Sequence, residues 1–460
     1  METIMRRRIE GSLDQWLCSE PDHPLIVKGV RRCGKTTVIE EFCRRNFQSY
    51  VKLDFQTETG RIESVFDRPT DDVDGIVRAI EELKHTKLDR ESSAIFLDEV
   101  QLNERALNSL RFFSGSGWRV IASGSLFGVA LRQRRLPFPS GVRQIQMHPM
   151  DFEEWLWAMG EGRRADEIRS HAQGLEPYVA HDETLALYHR YLVVGGMPRA
   201  VCAWVDGQAN SLARVAVEQA EVNATYTADM TNPDYNISGI SAKRIWDSIG
   251  AQLLRSSTKK FKYAEVIRGG RRARLMEPLV WLEAAGFVDR CNLTEDIAAP
   301  LAEYDEEEGS FFKVYLADTG IMFRKFDLSA ERFLAAADAG EAFGSSDFRG
   351  ALAENFVAQA LKARDLRKFY WRPPSSWGTR GELDFLLQTD QAQVIPIEVK
   401  SARNVRAKTL STFMQRAASP YAIILSENDF ALSHDAGGQE IRHLPLYAAF
   451  CIGDGCARES

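Results

Sequence analysis

The sequence predicts an α/β protein whose first 160 residues build a parallel β-sheet with helices on its faces. Apolar runs typical of strands alternate with helical patterns in this part of the chain. One apolar run leads directly into a glycine-containing loop and then a helical pattern, and another ends in two adjacent carboxylates. The predicted strands are residues 25–28, 50–55, 94–98, 119–123 and 142–147.

The first strand is followed by a loop that suits a phosphate group. Residues 29–37 carry the spacing Gly-x-x-x-x-Gly-Lys-Thr, in which glycines let the backbone curl around an anion at the positive end of the next helix. We expect Lys35 to reach the β- and γ-phosphates of ATP, and Thr36 to offer its hydroxyl to Mg²⁺. The residues expected to bind the nucleotide are Gly29, Val30, Arg31, Arg32, Cys33, Gly34, Lys35, Thr36 and Thr37.

Polar residues end two further strands of the predicted sheet. We expect Asp98 to hold Mg²⁺ together with Thr36, and Glu99 to orient an attacking water. An ordinary buried strand capped by Asp-Glu is the alternative for this run alone. Ser123 and Ser125 follow the next strand and are expected to contact the γ-phosphate or the water, with an ordinary Ser-Gly turn as the alternative.

Length and composition limit the class of protein. A chain of 460 residues is too long for one hydrophobic core, so about two to four domains are expected. Its 44% apolar and 27% charged residues are typical of a globular protein. No apolar run approaches the roughly 20 residues that span a bilayer, and the first residues do not read as a secretory signal. We therefore expect a cytoplasmic protein without membrane contact.

Residues 161–238 are predicted to form a helical lid and residues 239–300 a winged-helix-like segment. The lid reads as helical, with one break at Gly195-Gly196-Met197-Pro198. In the next segment, three short helical patterns precede a Gly269-Gly270 turn and a strand-like run. This order is typical of modules that place one helix in the major groove of DNA.

The winged-helix-like segment is locally basic, although the net charge of the whole chain is −7. Between residues 241 and 274, ten basic and two acidic residues give a local charge of +8 (10 − 2). Contact with DNA phosphates is expected, and a solvated basic face or an internal partner for acidic loops is the alternative. The residues expected to contact DNA are Lys259, Lys260, Lys262, Arg268, Arg271, Arg272 and Arg274.

Residues 301–460 are predicted to carry a second polar site on one helix and two strands. Glu398 and Lys400 are two residues apart and project from one face of a strand, and Asp384 lies in the preceding strand. With Glu354 from the helix, they form the D-x(n)-E-x-K arrangement of restriction-type nucleases, in which carboxylates hold a hard cation and the lysine acts on a water. An intact and a degenerate metal-binding site both remain open. A structural salt bridge of Lys400 with Asp384 or Glu398 is the alternative.

Together these blocks resemble a large prokaryotic family, the AAA-type P-loop ATPases that carry a C-terminal domain of unknown function related to restriction nucleases. The Arg31-Arg32 pair and the block His148-Pro-Met-Asp-Phe-Glu-Glu-Trp155 are more diagnostic than the generic motifs. The resemblance implies an ATPase core at 1–160, the lid, the winged-helix-like segment, and an α/β restriction-endonuclease-like domain at 301–460. The motifs that carry it lie at residues 29–37, 96–101, 123–125, 148–155, 191–198, 313–320, 354 and 397–401.

If such an ATPase works between the subunits of a homo-oligomer, an arginine finger is expected. Arg132, Arg134, Arg135 and Arg143 lie in the usual region, and Arg143 is the residue we select.

The leading functional hypothesis is an Mg²⁺-dependent, ATP-hydrolysing protein that couples its nucleotide state to a nuclease-like C-terminal domain, with DNA as a partner. A second hypothesis is an ATP-gated, metal-dependent DNA nuclease. A third is a slow nucleotide switch that serves as a protein-interaction module. The presence of Glu99 favours turnover over passive binding.

Overall fold

The computed structural model describes residues 5–129, 138–207, 211–235, 237–255, 259–303, 312–377, 381–401 and 408–453. The chain divides into two compact units. The first contains residues 1–148 and two short segments, 233–236 and 284–286, and the second contains the remainder. Each unit has its own β-sheet.

The sheet of the first unit has five parallel strands, as the sequence predicts. The strands are β1 (Leu25–Gly29), β2 (Ser49–Asp54), β3 (Ser93–Asp98), β4 (Arg119–Gly124) and β5 (Arg143–Met147). Their order is β2-β3-β4-β1-β5. Because β4 pairs in parallel with both β1 and β3, the carboxyl ends of the three strands that carry the polar motifs lie at the same edge of the sheet.

Helices pack on both faces of this sheet, which is why its central strand β3 reads as a nearly continuous apolar run. Every residue of β3 is buried. One face packs in a core with the helices Thr59–Phe66, Val73–Lys84 and Glu104–Phe113. The helix Lys35–Asn46 packs against β1 to β4, and the helix Ile9–Ser19 against β5. Asp72 and Asn103 begin two of these helices by accepting a backbone N–H from Gly75 and Ala106.

The second unit begins with helices. A predicted break is found where expected: one helix ends at Val194 and the next begins at Pro198. The helix Ser346–Ala363 is buried at every position from 351 to 361. The helices of this unit are Phe152–Ala158, Gly162–Gly174, His181–Val194, Pro198–Asp206, Ser211–Thr231, Gly239–Arg255, Tyr263–Val266, Arg272–Ala284, Thr319–Lys325, Ala330–Asp338, Ser346–Ala363 and Lys408–Met414.

The sheet of the second unit is mixed and has eight strands. They are β6 (Val288–Thr294), β7 (Phe312–Leu316), β8 (Lys368–Trp371), β9 (Leu383–Gln388), β10 (Val394–Val399), β11 (Tyr421–Ser426), β12 (Ala431–His434) and β13 (Glu440–Pro445). Their order is β12-β13-β11-β10-β9-β8-β6-β7. Strands β8, β9 and β10 are antiparallel neighbours, whereas β10 and β11 run parallel.

The predicted domain boundary at 300 falls inside this sheet. Three helices precede β6, but only two of them precede the Gly269-Gly270 turn; the third, Arg272–Ala284, follows the turn, which differs from the predicted order. In addition, β6 pairs with β7 on one side and with β8 on the other. Strand β6, which was predicted to form the wing, is therefore part of the C-terminal sheet. A neighbouring strand pairs with each of its two edges, so neither edge is left to solvent.

Candidate nucleotide site and C-terminal carboxylate cluster

The phosphate-binding loop joins the end of β1 to the helix Lys35–Asn46. Gly34 has a φ of 96°, a left-handed conformation in which a side chain would be strained, and it leads the loop into the helix. Buried Arg7 supports the loop by donating to the carbonyl of Cys33 at 2.8 Å and to that of His148 at 2.7 Å. Sequence reasoning missed Arg7, because it stands in a run of three arginines that gives no reason to select one.

The side chain of Lys35 lies against the loop rather than in solvent. Its Nζ donates to the carbonyl oxygens of Gly29 at 3.0 Å and Val30 at 3.1 Å, and the residue is 5% exposed. The ammonium is thus fixed where a positive charge attracts a phosphate group. The other loop residues differ in burial: Val30 and Cys33 are buried, Arg31, Arg32 and Thr36 are half-buried, and Thr37 is exposed.

Thr36 and Asp98 lie side by side, as a shared magnesium site requires. Oγ1 of Thr36 is 3.0 and 3.1 Å from the two carboxylate oxygens of Asp98. The hydroxyl of Ser123 also donates to Asp98. A hydroxyl and a carboxylate are the hard oxygen ligands that Mg²⁺ prefers. The donor set therefore fits the metal, and Thr36 and Asp98 are the residues that would hold it.

Lys52, on β2, also contacts Asp98, and sequence reasoning missed it. Its Nζ lies 3.0 Å from Oδ2 of Asp98 and 3.0 Å from Oε1 of Glu40. Burial lowers the pKa of Lys52, but Glu40 and Asp98 outweigh this effect and the pKa is raised. The available signal was a lysine in an otherwise apolar strand, where a charge needs a partner.

Glu99 follows Asp98 and is held by hydrogen bonds on one carboxylate oxygen. Its Oε2 accepts from the N–H of Ser125 at 3.1 Å, from the Ser125 hydroxyl at 2.6 Å and from Nε2 of Gln101 at 2.6 Å. Burial raises the pKa of Glu99, but Lys35 and these hydrogen bonds outweigh it, so the pKa lies below its ordinary value. Glu99 is therefore an ionised carboxylate with a fixed direction. Gln101 is a second residue that the sequence reasoning missed.

Arg143 is not brought to these residues of its own chain. It lies at the amino end of β5, paired with Leu25, whereas the loop leaves β1 after Gly29. Four strand residues, about 13 Å, separate the two positions. Its guanidinium pairs with Glu20. A role of Arg143 towards another subunit stays a prediction, and Arg132, Arg134 and Arg135 lie outside the described residues.

The second unit brings together the four predicted residues of the C-terminal cluster. Asp384 on β9 and Glu398 on β10 lie on antiparallel neighbours, and the N–H of Val399 donates to Oδ2 of Asp384 at 2.8 Å. Lys400 pairs with Glu398. Glu354, on the helix Ser346–Ala363, is fully buried.

Lys313, on β7, lies among these carboxylates and was not singled out for the cluster in the sequence. Its Nζ is 3.0 Å from Oε1 of Glu354, 3.0 Å from Oε1 of Glu382 and 3.7 Å from Oδ1 of Asp384. Lys259 pairs with the second oxygen of Glu354. The cluster thus contains cations from elements that precede the helix and strands of the predicted site. We refer to Glu354, Glu382, Asp384, Glu398, Lys259, Lys260, Lys313 and Lys400 as the carboxylate–lysine cluster.

Burial and charge together set the protonation of this cluster. Burial raises the pKa of Glu354, but Lys259 and Lys313 outweigh it and lower the pKa to about 2. Burial lowers the pKa of Lys313, but the carboxylates around it raise the pKa well above its ordinary value. Burial and the neighbouring Asp384 raise the pKa of Glu398 to about 7. Oε2 of Glu398 is buried and has no hydrogen-bond partner within the described part of the chain.

Two residues predicted to contact DNA are bound inside the second unit instead. Lys259 pairs with Glu354, and Nζ of Lys260 lies 3.5 Å from Glu382. This corrects the prediction for both residues, because carboxylates that are largely buried already bind their ammonium groups. Lys262 pairs with Glu265 at 3.1 Å on the surface. The arginines of this segment are more accessible: Arg268, Arg271 and Arg274 are exposed, and Arg272 is half-buried.

Two features are absent from the described residues. In the described ranges, no group of three or more His, Cys, Asp or Glu side chains is placed to hold a metal ion. Among the helices that the structure describes, none combines the length and the apolar character needed to cross a membrane.

The parallel sheet, the loop around Lys35 and the pair Thr36–Asp98 define a P-loop nucleotide-binding domain. More particularly, residues 21–156 match a family model described as an AAA domain, so this segment is similar to AAA-type P-loop domains. Residues 185–332 match a "Domain of unknown function (DUF8612)" and residues 349–447 a "Domain of unknown function (DUF4143)". No curated protein matches the chain.

Several solved structures are distantly similar. "The walker-type ATPase PABY2304 of Pyrococcus abyssi" is 14% identical, with 71% of this chain and 97% of that chain covered and a TM-score of 0.41. A structure of Drosophila ORC bound to DNA is 13% identical, with 71% and 88% covered and a TM-score of 0.27. A STAND protein with a tetratricopeptide repeat sensor, from Pyrococcus horikoshii, is 12% identical, with 79% and 46% covered and a TM-score of 0.27. At these scores we infer nothing about this chain from them.

Proposed function

We propose that this protein binds and hydrolyses ATP with Mg²⁺. The observation that carries the proposal is Glu99, whose ionised carboxylate is held by Ser125 and Gln101 in the same site as Lys35. Lys35 and the loop amides would bind the phosphates, and Thr36 and Asp98 would hold Mg²⁺, which would supply neutralisation of the charge that develops on the phosphates. Glu99 orients the attacking water, and Ser123 fixes the position of Asp98.

Two substitutions separate binding from turnover. Lys35→Ala removes the ammonium that attracts the phosphates, so ATP binding is expected to fall below detection in calorimetry with Mg·ATP. Glu99→Gln keeps the size of the side chain but removes the negative charge that orients the water. It is expected to bind ATP normally and to lose about 100-fold or more in turnover.

Matched controls lie in the same unit. Lys87→Ala changes an exposed lysine and Glu104→Gln an exposed glutamate of the helix after β3, and both are expected to keep full activity. Wild-type turnover by the Lys35 variant would contradict the site. A different result would favour the third hypothesis, a slow nucleotide switch that acts through protein interactions. In that case the wild-type protein itself hydrolyses ATP at a rate near background, and Glu99→Gln does not change this rate.

We further propose that the nucleotide state acts on DNA association. The exposed guanidinium groups of Arg268, Arg271 and Arg274 surround the beginning of the helix Arg272–Ala284. Arginine side chains on such a surface bind DNA phosphates without reading sequence. ATP and ADP then select different conformations of the chain, so DNA and nucleotide bias each other.

A metal-dependent nuclease is the second candidate function, favoured by the convergence of Asp384, Glu398 and Lys400. The donor set as it stands does not fit a divalent cation, because the ammonium group of Lys313 already lies between three carboxylates of the cluster, 3.0 to 3.7 Å from each. Incubating DNA with Mg²⁺ or Mn²⁺ and either wild type or Asp384→Ala decides the matter, since only cleavage that the variant loses would establish a nuclease.

A further inference from the structure

The carboxylate–lysine cluster is neutralised by its own side chains. It contains four carboxylates and four ammonium groups, so its formal charges cancel. Glu354 and Lys313 are 0% and 1% exposed as side chains, and an unpaired charge at that depth would be expensive. The carboxylates of such a cluster have their counter-ions within the chain and do not need one from solvent.

The ammonium group of Lys313 lies at the centre of the cluster, at ion-pair distances from its carboxylates. Its Nζ lies 3.0 Å from Glu354, 3.0 Å from Glu382 and 3.7 Å from Asp384, and an ammonium group has three N–H donors for such neighbours. These are hydrogen-bond and ion-pair distances. Carboxylates that hold Mg²⁺ would stand about 2.1 Å from the ion, so an ion and this ammonium group cannot share the position.

The position of Lys313 in strand β7 fixes its side chain within the cluster. Lys313 is the second residue of β7, a buried strand, and pairs there with Cys291 of β6. It also lies two residues before Tyr315, whose hydroxyl donates to Oε1 of Glu354 at 2.6 Å. The ammonium group is therefore placed by a residue of the sheet that is paired with β6.

We propose that Lys313 replaces the divalent cation in this cluster, and that the C-terminal domain accordingly binds no metal there and does not cleave phosphodiester bonds. The acidic residues and Lys400 then serve as a structural site with a tethered cation. Removing the ammonium should expose a cation site, because Oε2 of Glu398 is already buried without a hydrogen-bond partner in the described chain. This inference does not rest on the proposed ATPase activity.

The test measures Mn²⁺ binding to the full chain without nucleotide. Binding is monitored through the electron paramagnetic resonance signal of the Mn²⁺ that stays free. Wild type and Asp384→Asn are expected to bind equal amounts. Lys313→Met is expected to bind about one additional Mn²⁺ per chain, and Lys313→Met combined with Asp384→Asn to lose it. Any binding at the P-loop is common to all four proteins and cancels in the comparison.

Lys368→Met is the matched control. Lys368 is another buried strand lysine of the second unit, with a side chain 3% exposed, and it pairs with Asp289 rather than with a group of carboxylates. This variant should gain no Mn²⁺. A gain by Lys313→Met alone therefore reports the cluster and not the general loss of a buried lysine.

Two results would overturn the proposal. One is wild type that binds about one more Mn²⁺ than Asp384→Asn, which would show a native metal site. The other is folded Lys313→Met, as judged by circular dichroism and thermal unfolding, that gains no Mn²⁺. If Lys313→Met does not fold, the comparison of wild type with Asp384→Asn still decides whether the native cluster takes a metal.

Discussion

At the scale of single residues, Glu99 combines a strained backbone with a carboxylate held by three hydrogen bonds. Its φ of 58° and ψ of 44° place a non-glycine residue in the left-handed region, at a cost of about 1–2 kcal/mol. Strain of this kind persists where surrounding contacts fix it, which is common at functional sites. Here the N–H of Glu99 donates to the hydroxyl of Ser123 at 3.1 Å, and Ser125 and Gln101 bind the side chain.

Ser125→Ala is expected to change the pH dependence of ATP hydrolysis. The hydroxyl of Ser125 lowers the pKa of Glu99, so its removal raises that pKa towards the ordinary value. If the ionised form orients the water, the acid limb of the kcat–pH profile moves to higher pH. Loss of orientation should also reduce kcat by about 10-fold near neutral pH, with ATP binding unchanged.

A change confined to packing would lower the rate without moving the profile. Ser64→Ala, which removes an exposed serine hydroxyl from the first unit, serves as the control and should behave as wild type. An acid limb that stays in place in Ser125→Ala would show that Ser125 does not act through Glu99.

At the scale of elements, three of the motifs that carry the family resemblance contact one another in the second unit. The N–H of Gly196 donates to Oδ2 of Asp318 at 2.6 Å, and its carbonyl accepts from the N–H of Met150 at 2.8 Å. The hydroxyl of Tyr191 donates to the carbonyl of Met150 at 2.7 Å. Burial raises the pKa of Asp318 to about 6 against the effect of its backbone donors. These motifs therefore hold elements together and need no ligand to explain them.

Gly196→Ala is expected to destabilise the second unit. A Cβ at this position would lie 1.9 Å from the carbonyl oxygen of Met150, so backbone must move. We expect a loss of about 2–3 kcal/mol or more in the free energy of unfolding, measured by denaturant titration. Gly174→Ala is the control, because its Cβ would meet nothing closer than 3.6 Å. Equal stability of the two variants would contradict this close packing.

Elements were predictable where the pattern is local. All five strands of the first unit, the loop and the helix break at Gly195 follow from runs of a few residues. The roles of Lys52 and Lys313 were not predictable, because Asp98 and Asp384, which lie beside them, are distant in sequence and are brought near by the order of strands in each sheet. The same long-range pairing places β6 in the C-terminal sheet, although its local pattern also suits the wing of a smaller domain.

At the scale of the whole molecule, some basic residues are exposed at the surface and others are paired with carboxylates inside the second unit. The net charge of −7 opposes general attraction to DNA, and Lys259 and Lys260 are already bound by carboxylates. The exposed cations of the basic segment include Arg268, Arg271 and Arg274. DNA binding, if it occurs through them, must be weak without nucleotide coupling and strongly dependent on salt.

The triple variant Arg268→Gln, Arg271→Gln, Arg274→Gln tests this local site. Each phosphate contact contributes about 0.9 to the slope of log K against log salt, so the slope should fall by about 2–3 when all three are lost. Fluorescence anisotropy with a labelled duplex at several salt concentrations measures it. The ATPase rate without DNA should be unchanged, while any stimulation by DNA should be lost.

The control carries the same change in net charge elsewhere in the second unit: Arg163→Gln, Arg332→Gln, Arg367→Gln, all at exposed positions. If the attraction to DNA is a property of overall charge, both triple variants lose the same affinity for DNA, and the slope of log K against log salt falls equally in both. If it belongs to the basic segment, only the first triple variant does. Equal slopes in the two variants would therefore remove DNA from the proposed function and leave the ATPase activity untouched.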